Sequence, residues 1–175
     1  MEAVTISAPR RSAPAATTFA GAAEAHLDDV FGYLLYLTRD HDVADDLSGA
    51  TFEKALRLWH RFDVNRGSAR TWLLGIARTT ALDWFRAEAR RTRREQAVAP
   101  PEAELAPFVE GVSPELEHAL ASLSAGEREV IALRVVLDLD SEAAARVLGV
   151  SPTAVSTRLS RALKRLEERM NDDVG

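Results

Sequence analysis

Apolar residues recur at helical spacing through most of this 175-residue chain. Between Ala22 and Thr38 they fall at Ala25, Val30, Phe31, Leu34, Leu35 and Leu37, which predicts an amphipathic helix. A polar break at Arg39–His41 follows. A second helix is predicted from Asp42 to Trp59, with Val43, Leu47, Ala50, Phe52, Ala55, Leu56 and Trp59 facing inward. Arg61–Ala69 holds Asp63, Asn65 and Gly67 without an apolar period and reads as a loop. A third helix begins near Ser68 or Ala69 and carries Trp72, Leu73, Ile76, Ala77, Ala81, Leu82 and Phe85 on one side. The stretch Glu95–Val112, with Pro100, Pro101, Pro107, Gly111 and several glutamates, breaks the pattern and reads as a linker. Ser113-Pro114 then opens a helix, with serine as cap and proline in the first turn. Ser124-Ala125-Gly126-Glu127 is a capping box that opens the next, the helix containing Val130, Ile131, Leu133, Val135 and Val136. Asp140 or Ser141 caps another helix, which Gly149 ends, and Ser151-Pro152 opens the last. No strand pattern and no internal repeat is present.

The predicted fold is all-α: two small helical domains, 22–94 and 113–170, joined by a flexible acidic linker at 95–112, the second domain with a helix-turn-helix. Residues 1–21 and 171–175 read as tails. Hydrophobic content of 46% and charge of 28% fit a folded protein of this kind. The absence of cysteine removes disulfides, thiolate metal sites and cysteine nucleophiles from consideration. No run of about 18 apolar residues is long enough for a membrane span. MEAVTISAPRRSAPAATT has two arginines with no continuous apolar core behind them, so it reads as a disordered tail and not a signal peptide. A cytoplasmic protein is expected.

A net charge of −5 argues at first against nucleic acid, but the distribution reverses that. Asp28, Asp29, Asp40, Asp42, Asp45 and Asp46 make the early helices acidic, whereas Arg86, Arg90, Arg91, Arg93 and Arg94 face one acid, Glu88. The last helix is basic again through Arg158, Arg161, Lys164, Arg165 and Arg169. Alternating acidic and basic blocks suit one protein partner and one polyanion.

In the last helix, Val155, Leu159, Ala162, Leu163, Leu166 and Met170 form one apolar stripe. Thr153, Ser156, Thr157, Ser160, Arg161 and Lys164 are left outward, the hydroxyls and bases a helix needs to reach base edges and phosphates. The plain alternative is a solvated basic face of a bundle. Upstream, Trp59, Phe62, Trp72, Trp84 and Phe85 cluster in a chain that is 6% aromatic, with Arg78, Arg86, Arg90 and Arg91 interleaved. Core packing accounts for some of these rings, Trp59 and Trp72 first. Rings beside arginines also suit unstacked single-stranded bases. Asp45 and Asp46 are adjacent on a helix and point apart, so a solvated or protein-binding face is expected instead of catalysis. His26, His41, His60 and His118 show no ligand spacing. No metal, cofactor or enzymatic site is expected.

With these segments in view, the chain resembles the extracytoplasmic-function (ECF) sigma factors of the sigma-70 family of bacterial RNA polymerase. ADDLSGATFEKALRLW (Ala44–Trp59) is similar to the family's polymerase-clamp-binding helix. RGSARTWLLGIARTTALDWFRAEARR (Arg66–Arg91) is similar to its promoter-melting and minus-ten segment, with Trp72, Ile76–Arg78, Asp83 and Arg86 in familiar places. LSAGEREVIALRVVLDLDSEAAARVLGVSPTAVSTRLSRALKRL (Leu123–Leu166) is similar to its minus-thirty-five domain. The chain departs from the family at Gly49, where a glutamine is usual, at Thr79, where an asparagine is common, and at Ala144, where a larger aliphatic residue is common.

The resemblance implies a factor that directs core polymerase to promoters and helps open them. Asp45, Asp46 and Phe52 would meet the β′ clamp, and the second domain the β flap. Asn65, Arg66 and Ser68 lie in the loop that would capture a base flipped from the non-template strand, and Trp72 would support that loop. Arg78, Thr79, Asp83, Arg86, Arg90 and Arg91 would line the minus-ten strand. Ser156, Thr157, Ser160 and Arg161 would read the upstream duplex, with Arg158 and Lys164 on phosphates. ECF factors are often held by an anti-sigma factor. The rival readings are a free-standing helix-turn-helix regulator and a helical adaptor, neither of which needs the aromatic and arginine cluster at Phe62–Arg94.

Overall fold

The computed structural model describes residues 18–95 and 113–172. Among these residues there are seven α-helices and no strand: α1 (Phe19–Thr38), α2 (His41–Leu58), α3 (Ala69–Glu95), α4 (Pro114–Ala121), α5 (Ala125–Ile131), α6 (Ser141–Leu148) and α7 (Pro152–Asp172). Short polar side chains set where they begin. Thr18 accepts from the Gly21 N–H, Asp40 from Val43, Ser113 from Leu116 and Asp140 from Ala143. Such a cap is worth about 0.5–2 kcal/mol over alanine. Ser124 and Glu127 form the reciprocal capping box that opens α5. Gly149 ends α6 at φ 67°, a left-handed conformation that a side chain resists, and the chain turns there into α7.

The helices α1, α2 and α3 pack on one another around Val30, Leu34, Ala44, Leu73, Leu74 and Ala77, all fully buried. Truncating Leu34, Leu73 or Leu74 to alanine would cost about 2–5 kcal/mol. The helices α4 to α7 enclose Val130, Leu133, Ala144, Val155 and Ala162. These two groups do not stand apart. Helix α3 packs on α6, and α1 touches the turn after α5.

Several expectations shift. Helix α1 starts at Phe19, not Ala22, because Thr18 caps it and the Phe19 ring meets Trp59 at 5.7 Å. At the other end α7 continues to Asp172, past the predicted edge at 170. Ala25, Ala50 and Leu56 face solvent, while Tyr33 and Tyr36 are the buried aromatics of α1. The second domain departs most after Ile131. Ala132–Val136 forms a wide π turn. The extra residue per turn rotates the face, so Leu133 and Leu137 point in while Val135 and Val136 are more than half exposed. The predicted tail at 1–17, the linker from 96 to 112 and the end from 173 lie outside the described residues.

Candidate nucleic-acid interface

The loop between α2 and α3 is built from two short 3-10 turns, Trp59–Arg61 and Val64–Arg66. Asp63 caps the second, its carboxylate accepting from the Asn65 backbone N–H at 2.9 Å and from the Asn65 amide at 3.1 Å. Ser68 precedes α3 and its Oγ accepts from the Thr71 N–H at 3.2 Å, so this hydroxyl starts the helix. Behind the loop, Trp59 stacks on Phe62 at 4.7 Å, and Trp72 meets both rings edgewise or tilted at 5.5 and 5.6 Å. These rings hold the loop to the helices. Trp84 and Phe85 form a separate pair farther along α3.

The loop and α3 border an open cavity of about 630 Å³ whose lining includes Lys54, Phe62, Arg66, Ser68, Trp72 and Thr79. Four of these were singled out from sequence; Lys54 and Phe62 were not assigned to this role. Arg146, from α6, completes the wall. A ring surface flanked by cations suits a planar base with its phosphate. Asn65 stands exposed near the cavity without lining it.

Along α3 the arginines meet different surroundings. Arg78 is half-buried and donates to Glu129 of α5 at 2.9 and 3.3 Å. Arg86 pairs with Asp83 at 3.1 Å and Arg91 with Glu88 at 2.7 Å, both on the solvent face. Arg90 is exposed. Thr79 donates to the Ile76 carbonyl at 2.8 Å and lies 3.4 Å from Lys54 Nζ. On α2, Asp45 and Asp46 are exposed while Phe52 is half-buried against the core.

Helix α7 presents a second surface. Val155 and Ala162 are buried and Leu159 and Leu166 half-buried, whereas Ser156, Thr157, Ser160, Arg161 and Lys164 all face out. Leu163 and Met170, expected in the stripe, are 46% and 40% exposed and lie at its edge. Lys164 lies 3.8 Å from Glu168. Arg158 is half-buried near Gly126 of α5. Arg165 donates to Glu127 at 2.7 Å, which ties α7 to the capping box of α5. Burial pushes the Glu127 carboxyl up, but hydrogen bonds from Ser124 and the charge of Arg165 outweigh it and hold the pKa below the usual glutamate range.

Sequence reasoning missed the bonds that join the two halves: Tyr33 and Arg78 to Glu129, Arg70 to the Leu137 carbonyl and Arg39 to Glu117. An acid beside Val130 on an apolar face, and a tyrosine one turn from Val30, were the available signals.

Comparison with known proteins covers both helical units. Residues 22–91 match sigma-70 region 2, and residues 113–166 match sigma-70 region 4. The chain is 33% identical over 167 residues to the ECF RNA polymerase sigma factor SigX of Bacillus subtilis (strain 168), covering 83% of this chain and 84% of SigX. It is 34% identical over 139 residues to the ECF sigma factor SigC of Mycobacterium tuberculosis (strain CDC 1551 / Oshkosh), covering 77% and 73%. Among solved structures, the sigma factor RpoE of Bartonella quintana, crystallised with the anti-sigma factor NepR, superposes with a TM-score of 0.74 at 26% identity over 87% of this chain and 96% of that one. CnrH, solved with the cytosolic domain of CnrY, gives a TM-score of 0.67 at 27% identity, over 89% and 88%. Both matched regions and the shared overall fold point to one lineage: the chain belongs to the sigma-70 family, in its extracytoplasmic-function group, and directs core RNA polymerase to promoters.

Proposed function

We propose that the two surfaces divide the work of initiation. The exposed acids Asp45 and Asp46, with Phe52 beside them, meet the clamp of the polymerase β′ subunit, and the α4–α7 unit meets the β flap. The cavity beneath the loop receives a base flipped from the non-template strand. Arg66 and Thr79 contact that strand, and Arg86, Arg90 and Arg91 hold its backbone farther along α3. Asp83 orients Arg86, and Trp72 supports the loop from behind. Helix α7 enters the major groove of the upstream duplex, with Ser156, Thr157, Ser160 and Arg161 toward the bases and Arg158 and Lys164 toward phosphates. The observation that carries this reading is the cavity itself, with rings, hydroxyls and cations from the loop and α3 around one space. The factor contributes binding energy and no catalysis, and it works in the cytoplasm beside polymerase. Its likeness to RpoE, which was solved with an anti-sigma factor, favours an anti-sigma partner for this chain too.

The test separates capture from docking. Asn65 and Arg66 are exposed and cap no α-helix, unlike Ser68. Arg66→Ala, alone and with Asn65→Ala, is expected to lower permanganate reactivity of promoter thymines while core polymerase binds with unchanged affinity. Reactivity equal to that of the unaltered chain would remove base capture from this loop.

A further inference from the structure

The cavity between the loop and α3 holds more positive charge than a single strand base requires. Lys54 of α2, Arg61 and Arg66 of the loop and Arg146 of α6 all line it. A Cβ built on Gly67 would lie 3.5 Å from Arg146 Nη1, so this last cation stands close against the loop. No ion pair among the described residues includes Lys54, Arg61 or Arg66. Arg146 meets Glu142 at 3.6 Å on the exposed face of α6, a weak pair. Asp63 is the one acid on the wall, and its carboxylate already accepts from the two Asn65 amides at 2.9 and 3.1 Å. Phe62 and Trp72 are half-buried on the same wall. Gly75 leaves the α3 backbone bare beside them: a Cβ built there meets no atom within 4 Å.

A base flipped from a strand comes with phosphates spaced along an extended backbone, so few of them reach one cavity. A free nucleotide carries its phosphates as a short chain that folds back beside its own base. Cations gathered around one space answer that compact anion, because each phosphate oxygen takes charge-assisted hydrogen bonds from guanidinium or ammonium groups. The rings supply a surface for the base. A volume of about 630 Å³ is in the range of small-molecule pockets, about 300–1,000 Å³. We infer that the cavity of the free chain takes a nucleoside triphosphate, its base against Phe62 and Trp72 and its phosphates on Lys54, Arg61, Arg66 and Arg146. The inference rests on the reading of this cavity as the site of the flipped base. Nucleotide and strand base then compete for one space, and the factor's hold on the opened strand falls as free nucleotide rises.

Calorimetric titration of the free full chain with ATP, adenosine and inorganic tripolyphosphate separates the base from the phosphates. ATP should bind in one saturable event, and adenosine and tripolyphosphate should each bind about tenfold or more weakly, the scale of one lost stack or one lost charged contact. Arg61→Ala, an exposed change outside the helices, should weaken ATP about tenfold. Gly75→Leu grows a side chain into the open space and suits a helix better than glycine, so it should abolish ATP binding without lowering the melting temperature. A mixed-sequence single-stranded DNA oligonucleotide should displace ATP from the unaltered chain. Gly75→Leu should also lower permanganate reactivity of promoter thymines in reactions that hold core polymerase and no nucleotide. Tripolyphosphate binding as tightly as ATP would reduce the cavity to an anion-binding surface and overturn the inference. ATP binding that persists in Gly75→Leu would place the nucleotide elsewhere and overturn it too. No saturable ATP binding, in a chain whose Gly75→Leu variant fails to open promoters, would overturn the nucleotide and leave the base site standing. ATP binding lost in Gly75→Leu, with DNA unable to displace it and promoter opening unaffected, would remove the base site and the proposed competition together.

Discussion

Arg161 and Arg165 stand one turn apart on α7 and have different work. Arg161 is exposed and acts on Glu127 only through its charge, whereas Arg165 donates a hydrogen bond to Glu127 at 2.7 Å. A base-reading arginine is worth about 1–3 kcal/mol, so Arg161→Ala should lower transcription roughly tenfold or more and relax preference at one upstream position. Arg165→Ala should leave that preference intact and lower stability by about 1 kcal/mol, because it removes a partly buried partner from the capping box. Transcription from a randomised upstream element, together with melting curves, separates the two. The outward place of Arg161 was legible from the apolar stripe of α7. The link from Arg165 to Glu127 was not, since it joins residues on different helices and sequence spacing carries no sign of it. Asp29 adds a pH dependence. The Arg70 hydrogen bonds hold its carboxyl below the ordinary aspartate value of 3.8. Stability gained this way is complete above that value and is lost as the pH falls through the lowered folded value. The melting-temperature gap between the unaltered chain and Asp29→Asn should therefore be present at neutral pH and close below about pH 4. A gap that is unchanged at the lowest pH would show that the pair does not stabilise the fold.

Helix α2 shows what a local departure costs. Gly49 sits exposed within it, and a Cβ built there meets no atom within 4 Å. Gly49→Ala should therefore raise stability by about 0.5–1 kcal/mol, read as a higher melting temperature, with affinity for core polymerase retained. A lower melting temperature would mean that the helix is strained at that position. The starts of α4, α5 and α6 were legible because Ser113, Ser124 and Asp140 act through bonds three residues long. The stop at Gly149 was legible for the same reason. The π turn at Ala132–Val136 was not, because a helix of constant period is the natural reading of IALRVV and nothing local marks the extra residue. Its effect is large: Val135 and Val136 leave the core, and the Leu137 carbonyl turns to Arg70.

The two helical units and the family were readable from the order of three segments, but the contact between the units was not. Tyr33 and Glu129 are 96 residues apart, and Arg78 and Glu129 are 51 apart, so only tertiary structure brings the three side chains together. The basic block on α3 looked wholly available for DNA; part of it is answered by the chain's own acids. With a net charge of −5 and its densest basic runs on α3 and α7, the free chain should bind promoter duplex weakly, and polymerase should supply the missing affinity. The most direct measurement places the chain on promoter duplexes with and without core RNA polymerase, and scores specific binding and strand opening in the same reaction. The account predicts specific binding and open thymines only when chain and core enzyme are both present. Tight, sequence-specific binding by the chain alone, with no opening when core enzyme is added, would contradict it.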